Sequence, residues 1–263
     1  MSVLIILFRV YRYVHYWLYK MDEHSLHSPF VFSLYKNSLK SYSNEIPIIT
    51  SAESIRKKLR NDHREIDLAT LGSQSQIRNN QKISSISRLG ISNLKTSKML
   101  SSLIQHIGAK SVLELGTSVG INTIYLAKAG GVEEVVSIEG NKSLVEIASE
   151  CFDDFGLDNI DLQNKDVDVC LDELLDRKRE FDFVFMDANH TEVATKRYFE
   201  KVSQIVSKNS IIVLDDINWS PGMNRAWQEI KESSKEQLIV ENYQFGMVFS
   251  GKIPASGSYI LDF

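Results

Sequence analysis

The chain has 263 residues, of which 43% are hydrophobic and 24% charged, and its formal net charge is −4. This length suffices for one large domain, or for one domain with an extension, whose core needs no disulfide or metal. Four prolines and 13 glycines exclude collagen-like and proline-rich architectures, and the apolar content excludes extensive disorder. Because Cys151 and Cys170 form no Cys-x-x-Cys pair, we expect neither a cysteine zinc site nor a disulfide scaffold, and we expect a cytoplasmic protein.

The charge is distributed unevenly along the chain. Residues 1–110 carry 16 Lys and Arg against 7 Asp and Glu, whereas residues 111–263 carry 14 against 27. Such an asymmetry indicates two parts with different roles. We therefore predict an N-terminal helical extension and cap over residues 1–100, followed by a second domain over residues 101–263.

Residues 3–20 are predicted to form an amphipathic helix rich in aromatic residues, whose charge comes from Arg9, Arg12 and Lys20. Its apolar run is too short for a transmembrane segment, which needs about 20 largely apolar residues. The charges follow the apolar run instead of preceding it, so the segment does not resemble a secretory signal. Two interpretations stay open. The helix packs on the domain or on a second subunit of a homodimer, or it makes weak contact with a membrane surface.

The rest of the first 110 residues is predicted to be helical around a polar segment. Short helices are expected over residues 31–40 and 52–61, and a longer one over 95–107. Residues 64–93 are rich in Ser, Asn, Gln and Arg, with a predicted loop at residues 72–75. Because this segment also has apolar anchors, we expect a partly ordered cap; the anchors are Leu68, Leu71, Ile77, Ile83 and Ile86.

From residue 111 onward, short apolar strands alternate with helices. The predicted strands are 111–115, 134–138, 160–163, 181–186 and 210–214. The predicted helices are 121–129, 142–155, 169–176, 193–206 and 223–233. Segments 238–243 and 247–250 are too close for an intervening helix and predict a hairpin. The pattern indicates an α/β fold, a Rossmann-like doubly wound and mostly parallel sheet that ends in an antiparallel hairpin.

Two features at strand ends indicate a nucleotide-type cofactor. Gly116 and Gly120 enclose the turn from the first strand into the first helix, in the pattern Gly-x-x-x-Gly. Dinucleotide sites use Gly-x-Gly-x-x-Gly, and Ser118 would crowd a pyrophosphate there. Glu139 ends the second strand, where a carboxylate binds the hydroxyls of a ribose. The alternative for Glu139 is an ordinary surface carboxylate.

These motifs resemble those of class I S-adenosylmethionine-dependent methyltransferases. VLELGTSVGINTIYLA is similar to their first motif, and VVSIEG to their ribose-binding strand. FVFMDANH and IIVLDDINW resemble the catechol and caffeoyl-CoA O-methyltransferase branch, and the HSPF segment a bacterial subgroup with a helical extension. The resemblance covers about residues 92–250. It implies that residues 101–263 bind S-adenosylmethionine and methylate an oxygen of a small molecule.

The resemblance also implies which residues hold the cofactor. The methionine part would be held by Gly116, Thr117, Ser118, Gly120 and Asn122. Residues 92–95 would approach the same part from the cap. The ribose would be held by Glu139, the adenine would lie beside Gly140 and face Asp166, and the sulfonium would lie near Asp187.

Catalysis is assigned by the same resemblance to Asp187 and His190. The branch has Asp-x-x-Lys after its fourth strand, with the lysine as general base, whereas this chain has Asp187 followed by His190 three residues later. Histidine suits this role because its ordinary pKa lies near neutrality. The alternative is that His190 only caps the following helix.

A divalent cation is implied less directly. Asp187 and Asp216 match the two aspartates that hold a cation in the branch, but Ile217 stands at the position of the third ligand and cannot coordinate. Asp215 or Asn218 could replace it because hard cations accept such oxygens. Neighbouring side chains on a strand point to opposite sides, however, which argues against Asp215.

Two other functions stay open at this stage. An NAD-type oxidoreductase is disfavoured by the missing middle glycine. A non-catalytic module would use its cofactor fold for binding and its basic extension to contact an acidic partner. We identify no RNA-binding module, so nucleic acid is a minor alternative. Trp219, Met223 and Trp227 follow the fifth strand at near-helical spacing and are expected in the core, although Trp219 could line a pocket.

Overall fold

The computed structural model describes residues 3–40, 48–68, 80–89, 93–251 and 253–263. The predicted loop at residues 72–75, the anchors Leu71 and Ile77, and Ser92 lie outside these ranges. Within them, no helix is both long enough and apolar enough to cross a membrane.

Helices and strands follow one another much as the sequence predicts. The α-helices are α1 (Val3–Tyr19), α2 (Pro29–Leu34), α3 (Ile48–Arg60), α4 (Ile83–Leu89), α5 (Leu94–Ile107), α6 (Ile121–Ala127), α7 (Lys142–Phe155), α8 (Val167–Asp176), α9 (Glu192–Val202) and α10 (Pro221–Ser233). The strands are β1 (Glu65–Asp67), β2 (Asn80–Lys82), β3 (Ser111–Leu115), β4 (Glu134–Ile138), β5 (Ile160–Gln163), β6 (Phe181–Met186), β7 (Val206–Leu214), β8 (Leu238–Glu241), β9 (Gly246–Ser250) and β10 (Gly257–Ile260).

The chain divides into two compact units, and residues 42–173 form one of them. In this unit, called the glycine-loop unit below, β4 pairs in parallel with β3 on one side and with β5 on the other. A helix follows each strand, and β3 and β4 are buried along nearly their whole length. Parallel strands buried on both faces explain why these segments have near-continuous apolar sequences.

Part of the predicted cap belongs to the core of the glycine-loop unit. Ile55 and Leu59 of α3 and Ile83 and Ile86 of α4 are buried in one cluster with apolar residues of α6 and α7. Leu68 packs against the same cluster. These residues are therefore ordered by hydrophobic burial, as their apolar spacing suggested.

Residues 1–41 and 174–263 form the other unit, called the hairpin unit below. Its strands lie in the order β10, β8, β9, β7, β6. β6 and β7 are parallel, and β9 is antiparallel to both β7 and β8, which confirms the predicted hairpin. β10 was not predicted; it pairs in parallel with β8. The parallel strands β3, β4 and β5, and the mixed sheet that ends in the hairpin, agree with the α/β architecture expected from the sequence.

Several predicted boundaries are wrong by a few residues. α9 ends at Val202 instead of 206, because the chain turns there and β7 already begins at Val206. Residues 31–40 do not form one regular α-helix: α2 ends at Leu34, and residues 35–40 continue as a π-helix. The predicted helix 52–61 begins earlier, at Ile48.

Helix α1 has a polar inner face and an apolar outer face. On the inner face, Arg9 Nε donates to the Trp219 carbonyl at 2.9 Å, Arg12 Nε donates to Asn218 Oδ1 at 2.9 Å, and Tyr16 contacts the segment after β10. The outer face is exposed and consists of Val3, Leu4, Ile6, Leu7, Val10, Tyr11, Val14, Trp17 and Leu18. Helix α1 therefore exposes most of its large apolar side chains, which a helix packed on a domain usually buries.

Candidate functional site

The turn between β3 and α6 is the glycine loop predicted from the sequence. Gly116 and Gly120 have φ angles of 100° and 82°, in the left-handed region that favours glycine. A Cβ atom on Gly120 would lie 2.7 Å from Phe152 Cε1 of α7, so this glycine also permits close packing of α6 on α7. The Gly116 N–H donates to the Ile138 carbonyl at 2.9 Å, which fixes the loop against the end of β4.

Glu139 connects the glycine loop to the next strand-to-helix turn. Its Oε2 accepts from Ser118 N at 2.9 Å, and its Oε1 accepts from Asn141 N at 2.9 Å. Ser118 itself has a positive φ of 51°, which directs its N–H toward the carboxylate. Glu139 is half-buried and stands at the carboxyl end of β4, where open α/β sheets bind ligands. It is not an unattached surface carboxylate.

A buried polar network beneath the loop was not predicted. Glu114 is fully buried, and its Oε2 accepts from Thr123 Oγ1 at 2.5 Å and from Ser137 Oγ at 2.6 Å. The Ser137 hydroxyl also lies 2.6 Å from Thr117 Oγ1. The Thr117 side chain therefore stabilises the loop from below. A glutamate inside an apolar strand was the signal that could have revealed this network.

The remaining predicted cofactor residues have local partners. Asn122 is buried, and its Oδ1 accepts from Ser97 Oγ of α5 at 2.6 Å. Asp166 caps the first turn of α8, since its Oδ1 accepts from Asp168 N at 2.8 Å. Gly140 is half-buried, and Lys95 is exposed at the start of α5. The assigned cofactor contacts of these residues stay predictions.

The hairpin unit contains the second group of predicted residues. His190 Nε2 lies 3.3 Å from Asp187 Oδ1, and the two side chains are 30% and 23% exposed. The cap of α9 is Thr191, whose side chain accepts from Ala194 N. Capping is therefore not the role of His190, and the alternative interpretation is wrong.

Two further carboxylates follow β7. Asp215 is buried, and its Oδ1 accepts from Asp216 N at 2.7 Å and from Gln244 Nε2 at 2.9 Å. Burial, together with the charges of Asp187 and Asp216, raises the pKa of Asp215 well above its ordinary value. Asp216 has a left-handed backbone with φ 56°. Burial raises its pKa, although the charge of His190 opposes this.

His190 stands in a strongly negative environment. Burial alone would lower the pKa of its imidazole. The hydrogen bond and charge of Asp187, with the charges of Asp216 and Asp215, outweigh burial and raise the pKa to about 9. Its ring centroid also lies 6.4 Å from that of Trp219.

The oxygen donors of this group are partly engaged by hydrogen bonds within the protein. Asp187 Oδ1 lies beside the His190 imidazole, and Asp215 Oδ1 accepts two hydrogen bonds. Asn218 Oδ1 accepts from Arg12 Nε and Asn224 Nδ2, each at 2.9 Å. Ile217, at the position of the third ligand, is buried. Within the described ranges, no three His, Cys, Asp or Glu residues are grouped as metal ligands.

A cavity of about 270 Å³ adjoins this group. It is lined by Arg9, Asp216, Asn218, Trp219, Tyr243 and Gln244. Trp219 is 47% exposed, so its expected place in the core was wrong, whereas Met223 and Trp227 are buried as expected. A larger cavity of about 500 Å³ between α9 and α10 contains none of the predicted site residues.

Together these features define a class of protein. A glycine loop after one parallel strand, and a carboxylate at the end of the next, are typical of α/β proteins that bind adenosine-containing cofactors. The sequence model of a family described as O-methyltransferase matches residues 73–244. The chain therefore belongs to the O-methyltransferase family, as its motifs indicated.

Individual proteins agree with this membership. A probable caffeoyl-CoA O-methyltransferase 1 of Dictyostelium discoideum is 31% identical over 119 residues, which are 44% of this chain and 51% of that protein. The chain thus spans about half the length of the curated relatives it matches. The O-methyltransferase of Bacillus cereus, solved in complex with SAH, is 22% identical, covers 62% of this chain and 83% of its own, and has a TM-score of 0.54.

A methyltransferase of Geobacter sulfurreducens has the same fold over more of the chain. It is 16% identical, covers 84% of this chain and 96% of its own, and has a TM-score of 0.54. These structures confirm the Rossmann-like fold.

Proposed function

We propose that this protein is an S-adenosylmethionine-dependent O-methyltransferase that acts on a small molecule. The observation that carries the proposal is the hydrogen bond between Glu139 and Ser118 N, which joins the glycine loop to a carboxylate suited to a ribose. Family membership supports methyl transfer over the NAD-type oxidoreductase. The Bacillus cereus relative is described as bound to SAH, which supports the same cofactor here.

The glycine loop fits such a cofactor. Gly116 leaves the backbone at the start of the loop free of a side chain, whereas the missing side chain of Gly120 permits the packing of α6 on α7. Glu139 has carboxylate lone pairs in addition to those used by backbone N–H groups and would accept from ribose hydroxyls. When bound, S-adenosylmethionine supplies a methyl group and keeps the electrons of the broken C–S bond on its sulfur.

In this proposal His190 is the base and Asp187 is its orienting partner. The acceptor hydroxyl forms its new O–C bond and loses its proton to the neutral imidazole of His190. Asp187, 3.3 Å from Nε2, holds the ring and stabilises the imidazolium that results. Aligning the acceptor oxygen with the methyl group supplies much of the rate, so the protein's main contribution is positioning.

Calorimetric titration with SAH tests the cofactor assignment. We expect saturable binding of SAH but not of NAD, and at least a tenfold weaker affinity for SAH in Glu139→Gln, which removes the negative charge that faces the ribose. Glu133→Gln is the matched control, because Glu133 is exposed and pairs only with Lys110 among its described salt bridges. Binding of NAD in preference to SAH, or equal affinity in both variants, would contradict the proposal.

The outer face of α1 leads us to propose a homodimer. Its exposed apolar area is on the order of 1,000 Å², given that large apolar side chains each offer roughly 150 Å². Monomeric proteins rarely expose more than a few hundred Å² in one patch. A standard interface buries about 800 Å² per partner, so this face is large enough to hold a second copy.

The spacing of the outer face also favours another helix over a membrane. Val3, Leu7, Val10, Val14 and Trp17 follow one another at intervals of four and three residues, the period of paired helices. A membrane-surface helix draws on cations beside its apolar face. Arg9 and Arg12 are instead bonded to the inner side.

We also propose that the protein works in the cytoplasm. Cys151 and Cys170 are buried and form no disulfide within the described residues, and burial raises the pKa of Cys151 to about 12. Such thiols suit a reducing compartment.

A further inference from the structure

Arg9 is held rigidly at the wall of the 270 Å³ cavity. Its guanidinium carbon lies 3.9 Å from the centroid of the Trp219 ring, and its Nε donates to the Trp219 carbonyl at 2.9 Å. The Tyr243 hydroxyl donates to the Arg9 carbonyl at 3.3 Å. Stacking and hydrogen bonding together restrict this arginine, so little conformational entropy is lost when it binds a ligand.

The contacts of Arg9 leave its two terminal nitrogens available. Of its side-chain nitrogens, only Nε donates a hydrogen bond to the part of the chain that the structure describes. The paired Nη groups of a guanidinium match the two oxygens of a carboxylate. Arg12, one turn further along α1, also donates through Nε, but Asn218 Oδ1 is its acceptor and it does not line the cavity.

The other walls of the cavity define what would accompany a carboxylate. Trp219 and Tyr243 are aromatic, and the Asp216 carboxylate is a hydrogen-bond acceptor for a hydroxyl group. Pockets for drug-sized ligands have volumes of about 300–1,000 Å³, so a cavity of about 270 Å³ suits a molecule with a single ring.

We propose that this cavity binds a single-ring aromatic hydroxy acid, with its carboxylate on Arg9 and its hydroxyl directed to the acidic side. Arg9 thereby provides a positive charge in the cavity that Asp216 also lines. The inference rests on the proposed function in one respect, namely that the bound acid is the methyl acceptor. Acceptor binding is then independent of metal and dependent on helix α1.

Calorimetric titration with 4-hydroxybenzoate and its uncharged methyl ester, both in the presence of EDTA, tests the proposal. We expect the wild-type protein to bind the acid at least tenfold more tightly than the ester, because only the acid pairs with Arg9. Arg9→Gln should lose this preference, and Arg9→Lys should retain part of it, since lysine keeps the charge without the paired donors. Lys20→Gln is the matched control: Lys20 lies beside the C-terminal end of α1 and pairs with Asp262.

Each other outcome would overturn the proposal. Absence of saturable binding of the acid to the wild type, equal affinity for acid and ester, a requirement for Mg²⁺, or an unchanged preference in Arg9→Gln all contradict it. The comparison of acid and ester uses only the wild type, so it stands even where a variant folds poorly.

SAH titration of the same samples separates the two proposals. Arg9-dependent binding of the acid without SAH binding would leave the cavity assignment standing and reject the methyltransferase. SAH binding without recognition of the acid would leave the methyltransferase proposal standing and reject the cavity assignment.

Discussion

At the scale of single residues, His190 has the environment with the greatest consequence for chemistry. Burial of its imidazole lowers the pKa, whereas Asp187, Asp216 and Asp215 raise it. The carboxylates outweigh burial, and the pKa is about 9. At pH 7 the ring is therefore mostly protonated, whereas a general base must be neutral. The three carboxylates make the neutral imidazole of His190 a strong base. They also reduce the fraction of His190 that is neutral at pH 7.

We therefore expect the rate of methyl transfer to rise with pH. Below the pKa the fraction of neutral imidazole grows about tenfold per pH unit, so kcat/KM should increase between pH 6 and 8 and level off above the pKa of about 9. A profile measured with EDTA present, using labelled S-adenosylmethionine and 4-hydroxybenzoate, checks this. In Asp187→Asn the plateau should move to lower pH. A flat wild-type profile between pH 6 and 8 would contradict the prediction.

The same raised pKa has a consequence for stability, with a definite sign. A histidine protonated more readily in the folded state stabilises the fold fully below its unfolded pKa of about 6.5. This contribution to the free energy of unfolding is lost as the pH rises through about 9. As the pH rises from about 6.5 to about 9, the stability contributed by His190 therefore falls while the fraction of neutral His190 increases.

Substitution of His190 tests its role directly. We expect His190→Gln to lower turnover by about 10²-fold or more, the usual contribution of general base catalysis, while SAH affinity stays the same. His24→Gln is a suitable control because its side chain is 85% exposed. Unchanged turnover in His190→Gln would show that another group takes the proton.

At the scale of elements, Gly120 links the glycine loop to the packing of α6 on α7. Alanine there must adopt a φ of 82° and place its Cβ 2.7 Å from Phe152. Gly131 has a similar φ of 93° but open space around it. Alanine at this position therefore measures the effect of the backbone conformation alone on the free energy of unfolding. The two positions make a matched pair.

We expect Gly120→Ala to destabilise the protein more than Gly131→Ala does. The backbone term should cost about 1–2 kcal/mol at both sites, and overpacking against Phe152 should add about 1–3 kcal/mol at Gly120. Urea denaturation followed by circular dichroism measures both values. Adding Phe152→Leu should recover part of the loss in Gly120→Ala only. Equal losses of unfolding free energy at the two glycines would contradict the prediction, because they would show that α7 shifts to accommodate the alanine without destabilising the protein.

The elements differ in how far the sequence could predict them. Strand β6 reads FDFVFM, so its apolar run and its bounds were both evident. β10 reads GSYI at a sheet edge, where half-exposed residues give no comparable signal. At the site, Asp187 and His190 are three residues apart and could be paired from the sequence. Arg9 and Gln244 could not, because only tertiary folding brings them to the residues after β7.

At the scale of the whole molecule, the apolar face of α1 predicts an assembly. We expect sedimentation velocity to show a dimer at micromolar concentration, and Leu7→Lys combined with Val14→Lys to give a monomer. These residues are 60% and 48% exposed, so the fold should tolerate both changes. Val193→Lys, at an exposed apolar position on α9, is the control and should remain dimeric.

Two results would contradict the dimer. One is a monomeric wild type. The other is a monomer that co-sediments with phosphatidylglycerol vesicles, which would instead assign the face to a membrane surface.

The contacts of α1 also bear on when the acceptor cavity forms during synthesis, because the partners of α1 are translated late. Arg9 binds a residue 210 positions later in the chain, and Tyr16 one 245 positions later. Ribosomes add about 5–20 residues per second, so α1 waits on the order of 10–50 s for these partners. During that interval the inner face of α1 lacks its native contacts while its outer face is apolar. The cavity that we assign to the acceptor is thus among the last features of its unit to form.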